Sequence, residues 1–449
     1  MGDFDLRILR RAAREEASDG VSAEVFQAAL EYFNRCYPTQ FYRAPRSDEE
    51  REALERALSD VVENAVAGLA RPQKNLLIDR LRSRVAGLDK LQPALDDLEV
   101  TDIQVNAEGQ VFLTRDGIND EAARWYPGMR YEDPQEVQVL MQGYVAEIGR
   151  EVNEEHPLVD AWLPDGSRVN MVVAPLSPFG PVITIRKSVK TRVRIRLRDL
   201  LANGTMSLAV LHLLTAALRA RANILVVGEP EAGKTTLVSG MLEMLPWWER
   251  TLIVGDALET LPPSRMKNCV RMATVERPGE SFRVNLGDMR GPMLRMSPRQ
   301  IVVEEIRIID GAVYLDICLM GMGRNITTLH APSLPANPRA VELRVMMMAA
   351  HGDLRLPPEM AREAFHQAVH LLMFAHRFDL GRQGRVFRVT SLVEVNEEKG
   401  FLPLTEFDSR SMTLRFVAEP KRLAAMAAAQ GHEMPGLDRL RLLEERGRG

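Results

Sequence analysis

Residues 224–236 read ILVVGEPEAGKTT, and the rest of the chain is best read outward from them. Ile224–Val227 is a short apolar, largely β-branched run, the composition of a strand buried on both faces. Gly228 begins a loop that closes on Gly233-Lys234-Thr235, and Thr235-Thr236 opens a helix, TTLVSGMLEML. A GxxxxGK[ST] loop set between a strand and a helix predicts a phosphate site. Residues 229–235 of such a loop turn their backbone N–H groups onto a β-phosphate, helped by the positive end of the helix. The cofactor-binding set is therefore Gly228, Glu229, Pro230, Glu231, Ala232, Gly233, Lys234, Thr235 and Thr236. Lys234 would supply a point charge to the β/γ oxygens and Thr235 a hydroxyl to Mg²⁺, so the expected cofactors are ATP and Mg²⁺. Pro230 and Glu231 replace the usual small residues, but the loop binds through its backbone and neither forbids binding.

Three later segments extend the site. IVVEEIR (301–307) is an apolar strand ending in carboxylates, as a Walker B element requires, and Glu305 could orient or deprotonate an attacking water, directly or through Mg²⁺. TLIVGDALETL (251–261) is a second strand, leading to Asp256 and Glu259; a strand followed by a solvated turn reads equally well. NITTLHAP (325–332) places Thr327, Thr328 and His330 after another strand, although a lone histidine is more often a structural hydrogen-bonder than a catalyst.

The 449 residues, 45% hydrophobic and 27% charged, suit about three globular domains. The net charge of −4 gives no general nucleic-acid footprint, so none is expected as a partner. Three cysteines (Cys36, Cys269, Cys318) with no CxxC pair argue against a disulfide framework or a thiolate zinc site, and reduced cytosolic thiols are expected. The first twenty residues lack the apolar core of a signal peptide, and Leu6 sits where a myristoylation signal wants Ser or Thr. No run approaches the roughly 20 apolar residues of a membrane span, the richest being 208–217, so membrane association is expected only through partners.

Residues 1–90 read as helices, including 21–35, a run opened by the capping box Ser47/Glu50, and 73–86. TDIQVNAEGQVFLTRDG (101–117) signals a hairpin at Glu108-Gly109, followed by a helix over 134–149 and strands within 156–187. Residues 188–200 read as a basic linker and 206–220 as a helix. The order strand, loop, helix, strand from 224 onward argues for a parallel sheet covered on both faces. The fold class is thus α/β: a RecA-like P-loop domain (201–408) after a smaller mixed α/β domain (91–187), an N-terminal helical region (1–90) and the linker, with a C-terminal helical tail (409–449).

In this order the segments resemble the type II/IV secretion ATPases, most closely the CpaF-like branch of Tad pilus assembly. The resemblance runs from about 48 to about 408. HPLVDAWLPDGSRVNMVVAPL and GPVITIRK look like the family's N-terminal domain signature, and VTDIQVNAEGQVFLTRDG like its opening hairpin. RMATVERP (271–278) and LRMSPRQIVVEEIR (294–307) match its arginine-bearing stretches. The absence of a paired-CxxC zinc module and the long helical N-terminus favour the CpaF-like branch.

The resemblance implies a homohexameric ring, cytoplasmic and peripheral at the inner membrane through a platform protein, with nucleotide between a sensing domain and the motor domain. It places Asp256 and Glu259 in an Asp box, makes Glu305 the catalytic glutamate, and closes a His box with His330. Arg168 and Arg186 fall at positions expected to reach phosphates, with Arg277 and Arg307 as second candidates. The sequence departs from the family where Gly255-Asp256 replaces Glu-Asp, Ile308-Ile309 replaces Gly-Gly, and Met322 replaces a histidine. These changes remove polar groups near the γ-phosphate and leave slow turnover open; with Lys234, Thr235 and Glu305 intact, a working ATPase is expected. Two other readings stand beside it: a nucleotide-gated structural subunit that hydrolyses negligibly, and a DNA-transfer ATPase.

Overall fold

The computed structural model describes residues 21, 23–37, 48–64, 69–86, 89–115, 124–125, 130–131, 133–147, 151–163, 166–188, 195–256, 258–276, 283–307, 310–351, 354–380, 385–398 and 400–446. The chain divides into two compact units, Met1–Val193 and Arg194–Gly449.

The first unit begins with helices α1 (Ala23–Cys36), α2 (Asp48–Asn64) and α3 (Arg71–Ala86). Their apolar faces meet around Phe33, Leu58, Val61, Leu77 and Leu81, all fully buried. Arg82 clasps Glu55 with both ends of its guanidinium, at 2.6 and 2.8 Å, tying α3 to α2. A short helix α4 (Gln92–Asp96) leads into β1 (Val100–Val105), β2 (Val111–Arg115), β3 (Arg124–Trp125), helix α5 (Pro134–Glu147), β4 (Leu158–Trp162), β5 (Arg168–Val172) and β6 (Val182–Arg186). These six strands form one sheet in the order β3-β2-β1-β6-β5-β4, antiparallel throughout. Alternate residues such as Ile103, Val105, Met171 and Ile185 point to a shared core with Val137, Met141 and Val145 of α5. The hairpin turns where the sequence predicts it: Val105 pairs with Val111, and Gly109 adopts φ +74°, with no room for a Cβ against the Tyr131 carbonyl.

The second unit contains α6 (Leu197–Ala202), α7 (Leu208–Arg219), β7 (Ile224–Gly228), α8 (Lys234–Leu242), β8 (Thr251–Gly255), β9 (Cys269–Ala273), β10 (Val275–Glu276), β11 (Arg283–Val284), α9 (Leu286–Arg295), β12 (Gln300–Val303), α10 (Gly311–Leu319), β13 (Ile326–His330), α11 (Pro338–His351), α12 (Pro358–Ala368), β14 (Leu371–Asp379), β15 (Arg385–Val395), β16 (Phe401–Pro403), β17 (Thr405–Asp408), β18 (Thr413–Phe416), α13 (Arg422–Ala429) and α14 (Leu437–Arg446). Its main sheet runs β16-β15-β14-β7-β13-β12-β8-β9. The six strands from β14 to β9 are parallel, and β15 and β16 are antiparallel additions at one edge. The period-2 alternation sorts each buried strand onto two cores. Ile224, Val226, Ile253 and Val302 join Leu213, Leu237 and Met241 of α7 and α8. Leu225, Val227, Leu252, Ile301 and Val303 join Met293, Tyr314, Val345 and Phe365 from α9 to α12 on the other face. The P-loop strand β7 and the carboxylate strand β12 are separated by β13, the RecA-like strand order.

Two buried asparagines lock the starting edge of these strands. The Asn325 amide donates to Asn223 Oδ1 at 3.0 Å, and the Ile301 amide donates to Asn325 Oδ1 at 3.0 Å. Asn223 Nδ2 donates to the Ala368 carbonyl at 2.7 Å. One polar network therefore sets the stagger of β7, β13 and β12.

Two stretches differ from expectation. Part of 188–200, read as linker, is helical from Leu197, because the Asp199 carboxylate accepts the Arg196 amide at 2.8 Å and caps the first turn. Residues 409–449, read as a helical tail, contain β18, paired with β17, and pack into the second unit; Phe416 and Leu440 are fully buried in the core with α7. Short strands with mixed polarity such as TLRF carry too little periodicity to be seen locally. Among the described residues no helix is long and apolar enough to cross a membrane.

Asn325→Leu removes the acceptor for the buried Ile301 amide, while the backbone N–H at 325 still donates to Asn223 Oδ1. It is expected to cost about 1–3 kcal/mol, read as a lowered urea midpoint.

Candidate functional site

The carboxyl ends of β7, β13, β12 and β8 form the edge where a parallel sheet collects its functional groups. Gly228 ends β7, and a Cβ there would lie 2.7 Å from the Ala375 carbonyl and 3.0 Å from the Ala232 side chain, so the loop can leave the strand only through glycine. Gly233 takes φ +81° as the N-cap of α8. Glu231 takes φ +60°. Its carboxylate pairs with Arg377, and Arg385 Nη1 lies 3.9 Å away, so a costly backbone conformation is held by two cations from β14 and β15.

Lys234 is buried at the start of α8. Its ammonium donates to the Gly228 carbonyl at 3.1 Å, to the Glu229 carbonyl at 2.8 Å and to His330 Nδ1 at 3.0 Å. Burial lowers its pKa from 10.5 to about 8, against the opposing pull of the Glu305, Glu229 and Glu259 charges. His330 sits directly beside Gly228 in the β13–β7 register. With Nδ1 accepting from the ammonium, its proton lies on Nε2, which faces Glu305 Oε1 at 3.0 Å. Lys234, His330 and Glu305 thus form one hydrogen-bonded line from the start of α8, through the end of β13, to the segment that follows β12.

A second group lies at the end of β8. Asp256 accepts the Thr274 hydroxyl through one carboxylate oxygen and pairs with Arg307 through the other. Glu259 lies on the following turn. Arg168 and Arg186 belong to the first unit, where they are directly opposed on β5 and β6. Arg277 and the Ile308-Ile309 departure lie outside the described residues.

The loop has the features an ATP phosphate chain needs: glycines at the two tight points, a helix N-terminus and a lysine whose charge is undercompensated. Thr235 and Glu305 would hold Mg²⁺. Among the described residues no cluster of three or more ligating side chains occurs, and an ion completed by phosphates and water requires none.

Sequence reasoning passed over Glu304, Arg271 and Ser239. Glu304 is only 8% exposed, and its Oε1 accepts the Thr260 amide at 2.5 Å. Arg271 donates to the Leu258 carbonyl, and Ser239 Oγ accepts the Leu261 amide at 3.3 Å. The tandem Glu304-Glu305 was the available signal, but nothing local distinguishes which of the pair turns inward.

The family model described as "Type II/IV secretion system protein" matches residues 87–361. The chain belongs to the type II/IV secretion system protein family. It is 28% identical over 322 residues to an uncharacterized protein of Methanocaldococcus jannaschii, covering 72% of this chain and 54% of that protein, so it spans about half of that relative's length. It is 30% identical over 318 residues to a putative conjugal transfer protein of Mycobacterium tuberculosis, covering 68% of this chain and 84% of the relative. It is 25% identical over 312 residues to the type IV secretion system protein VirB11 of Brucella suis, covering 64% and 84%. The crystal structure of that VirB11 ATPase in complex with sulphate covers 67% of this chain and 91% of its own, with a TM-score of 0.34. The similarity supports the secretion family and does not single out its Tad branch.

A nucleotide seated on this loop would raise the Lys234 pKa, because its phosphates favour the ammonium. Binding should therefore take up protons wherever the free lysine is partly neutral. About half a proton per site is expected at pH 8 and about a tenth at pH 7, read by calorimetry in two buffers of different ionisation enthalpy.

Proposed function

We propose that this protein is a Mg²⁺-dependent ATPase that works as the motor of a secretion or pilus-assembly machine, with Tad-type pilus assembly as the specific role. The observation that carries the reading is the line from Lys234 through His330 to Glu305, which joins the P-loop charge to the candidate catalytic carboxylate. Glu305 accepts from His330 Nε2 and would orient the attacking water or take its proton. Mg²⁺, held by Thr235 and Glu305, would supply charge compensation at the phosphate oxygens. Lys234 would hold the β/γ oxygens, and the N–H groups at the start of α8 would surround the β-phosphate. Arg307, held by Asp256, is poised to answer charge at this edge, and we assign Arg168, Arg186 and Arg277 to phosphate sensing.

The name of the VirB11 relative supports a secretion motor. The family resemblance supports a homohexamer, working in the cytoplasm against a platform protein of the inner membrane. The departures at Gly255, Ile308 and Met322 favour, as a second reading, a nucleotide-gated subunit without turnover. The name of the mycobacterial relative is the support for a DNA-transfer role, which predicts a salt-dependent shift of DNA.

Phosphate release from purified protein tests the motor. Lys234→Ala is expected to lose nucleotide binding and turnover together. Glu305→Gln should keep binding and lose about 100-fold in kcat. Wild-type release no greater than these variants, with binding intact by calorimetry, would replace the motor by the gated subunit. Mass photometry with and without ATP reads the ring directly.

Arg168→Ala and Arg186→Ala are each expected to lower kcat by about tenfold or more while Glu305 and Lys234 remain in place. Unchanged steady-state kinetics in both would remove these arginines from the site.

A further inference from the structure

Glu304 precedes the candidate catalytic glutamate and faces the other way. Its amide donates to the Val254 carbonyl at 2.8 Å, and its carbonyl accepts the Thr328 hydroxyl at 2.6 Å, so its backbone is pinned between β8 and β13. The side chain lies over Gly255 at the tip of β8. A Cβ built at 255 would come within 2.8 Å of Glu304 Cβ and Cγ, and nearer still to Oε2. The carboxylate then reaches the turn after β8, where Oε1 accepts the Thr260 amide at 2.5 Å. Burial raises its pKa, while the Thr260 and Glu259 amides aimed at it act in the opposite direction.

The turn is held from three elements. Leu258 adopts φ +48°, a costly conformation for a leucine, and its carbonyl accepts from Arg271 of β9. The Leu261 amide donates to Ser239 of the P-loop helix α8 at 3.3 Å. Glu304 supplies the third restraint, from just beyond the end of β12. Glu259 rides on this turn, and its charge acts to raise the Lys234 pKa against the effect of burial.

We propose that Glu304 is a positioning residue whose carboxylate, lying in the space a side chain at 255 would fill, fixes the 258–261 turn and with it the place of Glu259. The glycine at 255 and the carboxylate at 304 are then one feature: the absence of a side chain on β8 admits one from the residue that follows β12. The kinetic consequence rests on the ATPase reading, whereas the structural one does not.

Hydrogen exchange and kinetics on the full chain test the two separately. Glu304→Ala should speed exchange of the Thr260 amide by about tenfold or more, and Glu304→Gln, which keeps an acceptor oxygen, should restore most of the protection. Gly255→Ala should lower the thermal midpoint in the wild-type background and lower it less in the Glu304→Ala background, because the collisions with Cγ and Oε2 are gone and only that with Cβ remains. In phosphate release, Glu304→Ala combined with Glu259→Gln should be no slower than the slower single variant. Unchanged Thr260 exchange in Glu304→Ala, or an equal cost of Gly255→Ala in both backgrounds, overturns the proposal. Multiplying kinetic losses overturn its link to Glu259. A wild-type protein without turnover would instead defeat the ATPase reading, with the exchange and stability measurements still deciding the role of Glu304.

Discussion

A strand buried on both faces can satisfy its backbone only through its two neighbours, and β7 meets this condition between β13 and β14. That pairing governs the second unit. Because the strands are parallel, their carboxyl ends lie along one edge, and the segments at the ends of β7, β13, β12 and β8 carry the groups of the candidate site. Because they are buried on both sides, alternation along each strand divides its residues between two cores. At the opposite edge, the Asn223–Asn325 network sets the stagger that places His330 beside Gly228.

The chemistry of the site follows from how few of its charges face water alone. Lys234 donates from its ammonium to two loop carbonyls and a histidine, and burial there lowers its pKa. Asp256 holds Arg307, Glu305 faces His330, and Glu231 holds Arg377. These pairs are partly exposed, so their worth lies less in stability than in fixing where each group points. Strain is concentrated in the same place: Glu231 and Leu258 both adopt left-handed backbone, and both are restrained by arginines from neighbouring strands.

The two adjacent glutamates divide the work by alternation. Glu305 turns to the open edge and meets His330, whereas Glu304 turns into the sheet and holds the turn after β8. The departure at Gly255, which looked like the loss of a polar group, is the space in which the Glu304 carboxylate lies.

Local signals in the sequence determined the P-loop strand, turn and helix, the Glu108-Gly109 hairpin, and the apolar strands that end in Asp256, Glu305 and His330. Each depends on neighbours within a few residues, and hydrophobic period and turn chemistry operate at that range. Membership of the secretion family was legible for the same reason, from motifs lying in order along the chain. Strand order belonged to the tertiary structure alone: β13 lies between β7 and β12, and only that insertion lets one histidine touch both Lys234 and Glu305. The inward turn of Glu304 and the packing of β18 and α14 into the second core were decided there as well. In each case the partner lies dozens of residues away in sequence, where no local pattern reaches.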